Sequence, residues 1–518
     1  MPVHVVAHVE ELADGQMKQV NVDGVELLLV RLDGQFYALG ARCTHYGAPL
    51  ATGVLHGERI ICPWHHACFH VRTGAHLEPP GMDALPTFPV RVEGAQVLVE
   101  LPEQVPGRQE PALGGRKAQD TRTAVVVGSG CAGAYAVEAL RAQGFGGRVV
   151  WIAGSEFPPI DRPNLSKEYL AGKAPEAWMP LRDAAFYETA GIEVVQGRSV
   201  VRLDAAARTI TLDDGTVLSY DAAVVAPGAQ PRQLEVPGVT LAGIFTLRTL
   251  EDSRAIRAAA QQARQAVVVG ASFIGMEVAQ SLRHLGLEVT VVAPEAVPFE
   301  RTLGVEVGRV LQALHEENGV TFKLGHTVQA FEGTDRVQRV VLDDGNVLAA
   351  ELVVVGVGVQ PAAAFVQGVQ KAPDSSILVD AYLQAADGLF VAGDAARFPD
   401  WRTGTPIRIE HWRVAAQQGR LAGMNAAGAR QPYQGIPFFW TRQFGVSLQY
   451  LGYVESWDEV VLEGDPASRK FLAFYLRNDQ VWAVAGMGRG YELTRLHGLL
   501  LDDPLPDIEK VRAYLSNT

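Results

Sequence analysis

Cys43 and His45 form one mixed pair, C-T-H, and Cys62 and His65 form a second, C-P-W-H. Two such pairs on short segments offer two thiolates and two imidazoles to a single inorganic centre. That donor set can hold a [2Fe–2S] cluster, with both thiolates on one iron and both neutral imidazoles on the other. A structural zinc site is the competing reading, but zinc modules usually pair Cys with Cys and His with His at wider spacing. A cluster of this kind carries one electron at a time, so the chemistry indicated is electron transfer.

The mixed ligation is the Rieske arrangement, and the surrounding sequence suits a small all-β module that clamps a cluster between two loops. Residues 1–103 alternate in short β-like runs such as Val25–Arg31 and Gln96–Leu101, cut by Asp-Gly turns at Asp14, Asp23 and Asp33. Val3 to Ala7 reads as the first strand. Residues 104–121 carry Pro106, Gly107, Pro111, Gly114 and Gly115 without an apolar period, and are expected to be a flexible linker.

A different domain type opens at Thr123. Four apolar residues lead into G-S-G-C-A-G (Gly128, Gly130, Cys131, Ala132, Gly133), then a helix near Ala134 and a second strand ending near Ser155 and Glu156. Glycines at these positions let the backbone approach a pyrophosphate at a helix N-terminus. The unit recurs at Ala266–Glu277, with Gly270, Ser272, Phe273, Ile274 and Gly275, so two dinucleotide sites are expected. Ser272 stands where the middle glycine is usual. Ala293 holds the usual acidic place and Glu295 follows two residues later, with no base until Arg301. This favours NADH over NADPH. Between and after these units lie an A-P-G-x-x-P-R turn ending in Arg232 and an A-G-D turn with Gly393 and Asp394, whose carboxylate can bind a ribityl hydroxyl.

The order GxGxxG, L-S-K, A-P-G-x-x-P-R, second glycine loop and A-G-D resembles the FAD-dependent pyridine-nucleotide oxidoreductases. Asp161–Lys167, Glu410–Trp412, Pro437–Gly445 and Gly452–Tyr453 resemble the branch of ferredoxin reductases and apoptosis-inducing-factor-like proteins. A Rieske module fused ahead of that reductase resembles the apoptosis-inducing-factor-like subgroup.

The resemblance implies a multidomain fold. An all-β Rieske domain over 1–103 precedes an α/β flavoprotein with FAD-binding parts at 122–248 and 373–432 and an NAD(P)H-binding domain at 249–372. A small α+β domain covers 433–518. Gly128, Gly130 and Gly133 would cradle the FAD pyrophosphate, with Ser155 or Glu156 on the adenosine ribose. Arg162, Lys167, Arg232, Gly358, Asp394, Glu410, His411 and Trp412 would be further cofactor contacts, and Trp440 would lie against the flavin edge or fill the domain interface. Glu277 would pair with Lys167 beside the flavin as the catalytic pair. The helix from Trp412 to Gly419 would point its N-terminus at the flavin.

Departures and absences narrow the reading. Ala48 and Trp64 hold the places of the extra disulfide of high-potential Rieske proteins, so that bridge is impossible. His66 replaces the glycine common after the second ligand histidine and is expected at the surface. Cys68 and Cys131 read as buried small residues. There is no C-x4-C redox pair after the first glycine loop, and no 2-His-1-carboxylate motif.

The chain is 518 residues long with a net charge of −13, which argues against nucleic acid or an anionic membrane as partner. Four cysteines, two of them on the cluster, and no secretion-signal pattern suggest a reducing, cytoplasmic setting. The expected activity moves electrons from NAD(P)H through FAD to the Rieske cluster, and on to an oxygenase, cytochrome or ferredoxin. A monomer or homodimer is expected. The alternative is an NADH-controlled signalling flavoprotein with little turnover.

Overall fold

The computed structural model describes residues 2–516. The N-terminal module holds strands Gln16–Val22, Val25–Leu32, Gln35–Gly40 and Thr87–Phe88 in one sheet, and Val54–His56, Arg59–Ile61, Cys68–His70 and His76–Glu78 in another. A third sheet pairs Val3–His8 with the strands that close the module. Strand Val25–Leu32 is buried on both faces, with Leu27 and Leu29 in one cluster and Leu28 and Val30 in another. Each candidate ligand pair sits on a tight loop leaving a strand.

Two parallel sheets follow. The first runs Ile192–Gln196, Arg148–Ala153, Thr123–Val127, Ala222–Val225 and Leu389–Val391, with Gln384–Ala386 antiparallel at its edge. Its central strands are apolar because both faces are covered, one by helices Cys131–Ala142 and Trp412–Ala426 and the other by a sheet that includes the antiparallel strands Val200–Asp204 and Thr209–Leu212. The second runs Ile244–Thr246, Leu352–Val355, Gln265–Val269, Glu288–Ala293 and Val320–Leu324. The chain returns from the second sheet to complete the first, which nests one dinucleotide fold inside the other. An antiparallel sheet over Phe438–Met487 and the helices Gly490–Asp502 and Ile508–Ser516 close the molecule.

Helix Cys131–Ala142 and helix Trp412–Ala426 pack backbone to backbone. A Cβ on Gly419 would lie 2.2 Å from Ala132 O and one on Gly423 2.3 Å from Ala136 O. Glycine at both places brings the N-terminus of the second helix beside the first glycine loop.

The segment 104–121 lacks regular structure, as its composition implies, but it is fixed rather than flexible. Gln109 and Ala84 exchange backbone hydrogen bonds of 2.9 Å, Arg108 pairs with Asp83 at 3.3 Å, and Lys117 N donates to Gly146 O at 2.7 Å. The Rieske module is docked on the reductase. Buried Arg413 donates to Pro79 O (2.9 Å), His66 O (3.1 Å) and Glu78 Oε2 (2.6 Å) in the module, and to Ile436 O (2.9 Å) beyond it. Arg182 bridges Asp83 (2.6 Å) and Glu138 (3.2 Å).

His66 is fully buried, against the expectation of exposure. Its ring stacks on Phe438 with centroids 3.8 Å apart, and its Nδ1 lies 2.9 Å from His497 Nδ1. Its φ is +56°, the left-handed conformation that Gly47 adopts (φ +73°) at the matching place in the other loop. Packing at the domain interface compensates for the cost of that conformation in a non-glycine residue. Among the described residues no helix is long and apolar enough to cross a membrane.

Candidate functional site

The two ligand loops are alike in their backbone. Cys43 N donates to Ala48 O and Cys62 N to Ala67 O, both at 2.9 Å, while Gly47 N and His66 N close back on Cys43 O and Cys62 O. These turns bring the four side chains together. His45 Nδ1 and His65 Nδ1 lie 3.1 Å apart, and the two thiols are hydrogen-bonded to each other. The bond to Cys62 and then burial raise Cys43 well above the ordinary thiol range. Burial opposes charge on Cys62 too, but the bond from Cys43 and the N–H groups of Trp64 and His65 outweigh it and lower its pKa. Burial pushes His45 down to about 3 and holds His65 well below the ordinary imidazole range, so both imidazoles are neutral, the ligating form. Two thiols and two converging neutral imidazoles fit a [2Fe–2S] cluster with mixed ligation.

A cavity of about 540 Å³ lies where the first sheet, the second glycine loop and the C-terminal sheet meet. Gly128, Gly130, Cys131 and Ala132 line one end, Gly393 and Asp394 the middle, and Glu410, His411, Trp412 and Trp440 the end nearest the Rieske module. Gly128 has φ +121°, and a Cβ there would meet Ala226 O at 2.0 Å. A Cβ on Gly133 would meet Gly128 O at 2.1 Å. At these two positions the cradle therefore admits only glycine, as a pyrophosphate loop requires. Burial pushes Arg162, on the cavity wall, down to about 10, and the neighbouring Arg248 acts in the same direction. Trp412 Nε1 is buried with no partner, leaving a donor free on a cavity-lining residue. These features fit an elongated dinucleotide such as FAD.

Lys167 reaches the cavity from the turn after Arg162–Ser166. Its Nζ lies 3.0 Å from Glu277 Oε2 and donates to Pro163 O at 2.9 Å. Glu277, on helix Phe273–His284, also accepts from Ser166 Oγ (2.5 Å) and Thr441 Oγ1 (2.7 Å). Three segments thus meet at one buried ion pair, and its hydrogen bonds offset desolvation.

Several expected contacts lie elsewhere. Ser155 and Glu156 stand outside the cavity lining, since Glu156 folds over Gly197, and Arg198 and Ser199 line that end instead. Arg232 is also outside. Its Nε donates to Val359 O at 3.1 Å beside Gly358, on a separate recess. Arg248, which no motif singled out, takes the inner place and bonds Asp394 Oδ2 at 2.9 Å. Of the second glycine unit, Phe273, Ile274 and Glu277 line the cavity, whereas Gly270, Ser272, Gly275 and Glu295 lie outside its lining. A Cβ on Gly275 would meet Gly270 O at 2.0 Å, so this turn is as tight as the first.

The two sites adjoin. The His65 ring lies 4.2 Å from that of Trp440, and the His45 ring 6.3 Å from that of Trp412, centroid to centroid. Beside them Tyr46 hydrogen-bonds Asp161, and Asn164 Nδ2 donates to Tyr46 Oη at 2.7 Å.

Residues 122–419 match the family described as pyridine nucleotide-disulphide oxidoreductase, residues 3–89 the Rieske [2Fe-2S] domain and residues 438–511 the reductase C-terminal family. The chain is similar to apoptosis-inducing factor 3 of Homo sapiens, 39% identical over 498 residues, covering 93% of this chain and 81% of the relative. It is similar to the ferredoxin–NAD(+) reductase component of the anthranilate 1,2-dioxygenase system of Burkholderia cepacia, 34% identical over 75% of this chain and 96% of the relative. Among solved structures, the covalent putidaredoxin reductase–putidaredoxin complex aligns with a TM-score of 0.71 at 31% identity, covering 75% of this chain and 95% of that one. No redox-active cysteine pair accompanies the fold here, and the four cysteines are free and buried. The chain belongs to the pyridine nucleotide-disulphide oxidoreductase family, as a ferredoxin-reductase-type flavoprotein with a Rieske [2Fe-2S] domain joined ahead of it.

Proposed function

We propose that electrons pass from NAD(P)H through FAD to the Rieske cluster of the same chain, and from there to an external one-electron acceptor protein. The observation that carries this reading is the contact of His45 and His65 with Trp412 and Trp440, two residues of the cavity wall. The solved relative is a reductase joined covalently to its ferredoxin. Here an iron–sulfur module meets the same kind of reductase within one chain.

FAD supplies hydride acceptance and release of electrons one at a time, and the cluster supplies one-electron carriage. The chain supplies position and field. Gly128, Gly130 and Gly133 let the backbone approach a pyrophosphate at the N-terminus of helix Cys131–Ala142. Asp394, held by Arg248, suits a ribityl hydroxyl. Lys167 keeps a cation beside the place where negative charge develops, and Glu277 fixes its orientation. The N-terminus of helix Trp412–Ala426 adds partial positive charge from the other side. Phe273 and Ile274 bring the second glycine unit to the cavity, a suitable place for the nicotinamide. NADH is the proposed donor.

An anaerobic NADH titration that follows flavin and cluster spectra together tests the reading. Both centres should become reduced. Cys62→Ser should lose the cluster and keep FAD and NADH-dependent reduction of an artificial acceptor. A cluster that stays oxidised beside reduced flavin, or loss of FAD from folded Cys62→Ser, would contradict it.

A further inference from the structure

Docking covers the histidine edge of the cluster site. His45 and His65 are turned toward the cavity wall, so an external acceptor cannot reach that edge while the module is seated. The seat is extensive. Besides Arg413 and Arg182, Arg420 donates to Leu77 O at 2.6 Å and Tyr135 Oη to Gly81 O at 2.8 Å. The linker is pinned on both sides of the seam. Opening it would break the Arg413–Glu78 ion pair and all of these hydrogen bonds together.

Two parts of the ligand loops stay open, at Tyr46, which is 48% exposed with its hydroxyl tied to Asp161, and at Trp64. Trp64, between Cys62 and His65, is 46% exposed, although a tryptophan indole usually finds cover. Its ring lies 6.5 Å from that of His65. Its backbone is fixed, because Gln449 Nε2 of the C-terminal sheet donates to Trp64 O at 2.9 Å. On the other side of Gln449, a Cβ on Gly490 would lie 3.2 Å from Gln449 Oε1, and the next residue, Tyr491, is 49% exposed. Two exposed aromatics therefore flank the seam between the Rieske module and the C-terminal domain, one of them on a cluster loop. Large aromatics that are rigidly held yet uncovered are the side chains that dominate protein–protein contacts.

We infer that this seam, centred on Trp64 with Tyr491 beside it, is the docking surface for the electron acceptor, and that electrons leave there while the Rieske module stays seated. The inference rests on the NAD(P)H-to-cluster reading given above. The occupant is a one-electron acceptor protein with a basic face, because the chain carries a net charge of −13 and would steer such a partner toward it. Each docking event passes one electron from the reduced cluster to the oxidised acceptor. One NADH, giving up a hydride, thus reduces two acceptor molecules and yields NAD+ and one proton.

Oxidised cytochrome c serves as the basic one-electron probe. Its binding to the intact holoprotein is measured by calorimetry at low ionic strength, and its reduction by the pre-reduced cluster by stopped flow. Trp64→Ala should weaken binding and slow cluster reoxidation by about tenfold or more, the effect of losing an aromatic contact residue, and Trp64→Phe should restore most of both. Amide hydrogen exchange of residues 77–84 should stay protected with the probe bound. Equal binding by wild type and Trp64→Ala would overturn the inference. So would loss of that protection, which would show the module leaving its seat, or a Trp64→Ala effect that falls equally on the internal FAD-to-cluster step. Failure of NADH to reduce the wild-type cluster would instead defeat the underlying reading, while the binding comparison would still judge the surface.

Discussion

The ring of His65 lies 4.2 Å from the ring of Trp440, although the two residues belong to domains at opposite ends of the chain. His65 sits on a candidate ligand loop and Trp440 on the wall of the dinucleotide cavity. Their contact makes the short covered route between the two redox sites a property of the fold. It exists because Arg413 gathers three groups of the Rieske module and Ile436 O around one guanidinium.

Removing the partner of a buried cation tests the Lys167–Glu277 pair. Glu277→Ala would leave Lys167 Nζ with Pro163 O alone and would strand Ser166 and Thr441. Breaking a buried pair in this way costs about 3–5 kcal/mol, so a lower Tm and a fall in kcat/KM for NADH are expected. Glu277→Gln keeps acceptor and donor atoms for Ser166 and Thr441, and should recover stability more than activity. Thermal unfolding and steady-state kinetics on both variants check this. Equal recovery of both would assign the pair a structural role only.

The proposed preference for NADH turns on Glu295 and Arg301. Sequence distance separated them, but Arg301 Nε lies 3.2 Å from Glu295 Oε1, and the guanidinium is mostly exposed. The carboxylate should repel a 2′-phosphate and occupy Arg301, giving preference for NADH. Glu295→Ala should free Arg301 and raise kcat/KM for NADPH relative to NADH by about tenfold, the equivalent of ~1.4 kcal/mol. Wild type favouring NADPH would reverse the assignment.

Acid stability depends in part on His315. It is buried, its Nε2 lies 2.6 Å from Gln443 Oε1, and its Nδ1 has no partner. Burial pushes its pKa down to about 4, against the bond to Gln443. The unfolded chain binds the proton near the ordinary value of about 6.5. As pH falls between those values the unfolded state takes up more protons, so stability is lost progressively, by about 3 kcal/mol in all. Unfolding free energy measured across pH 7 to 4 should therefore fall less steeply in His315→Gln than in wild type. Parallel slopes would remove His315 from the account.

Much of the chemistry was legible in short motifs. Cys43, His45, Cys62 and His65 converge because two like turns hold them, and turns are local. The same holds for Gly133, whose missing side chain is demanded by Gly128 O a few residues earlier, whereas Gly128 answers to Ala226 O at the end of a strand distant in sequence. What the sequence concealed depends on distant segments. Arg248 lies outside any motif yet meets Asp394, and Thr441 reaches Glu277 from another domain. Arg232 sits in a motif, but the turn at Gly358 draws its side chain away from the cavity. His66 looked like a surface residue because its cover, Phe438 and His497, comes from the far end of the chain. Proline and glycine in 104–121 correctly signalled irregular backbone. They carried no information on whether Arg108 and Gln109 would find partners.

The central claim is that FAD and the Rieske cluster exchange electrons inside one docked unit. Stopped-flow mixing of the oxidised protein with excess NADH, followed at cluster wavelengths over a wide range of protein concentrations, tests it most directly. The account predicts a first-order rate constant for cluster reduction that does not change with protein concentration. A rate that rises in proportion to protein concentration would mean transfer between separate molecules, and would contradict it.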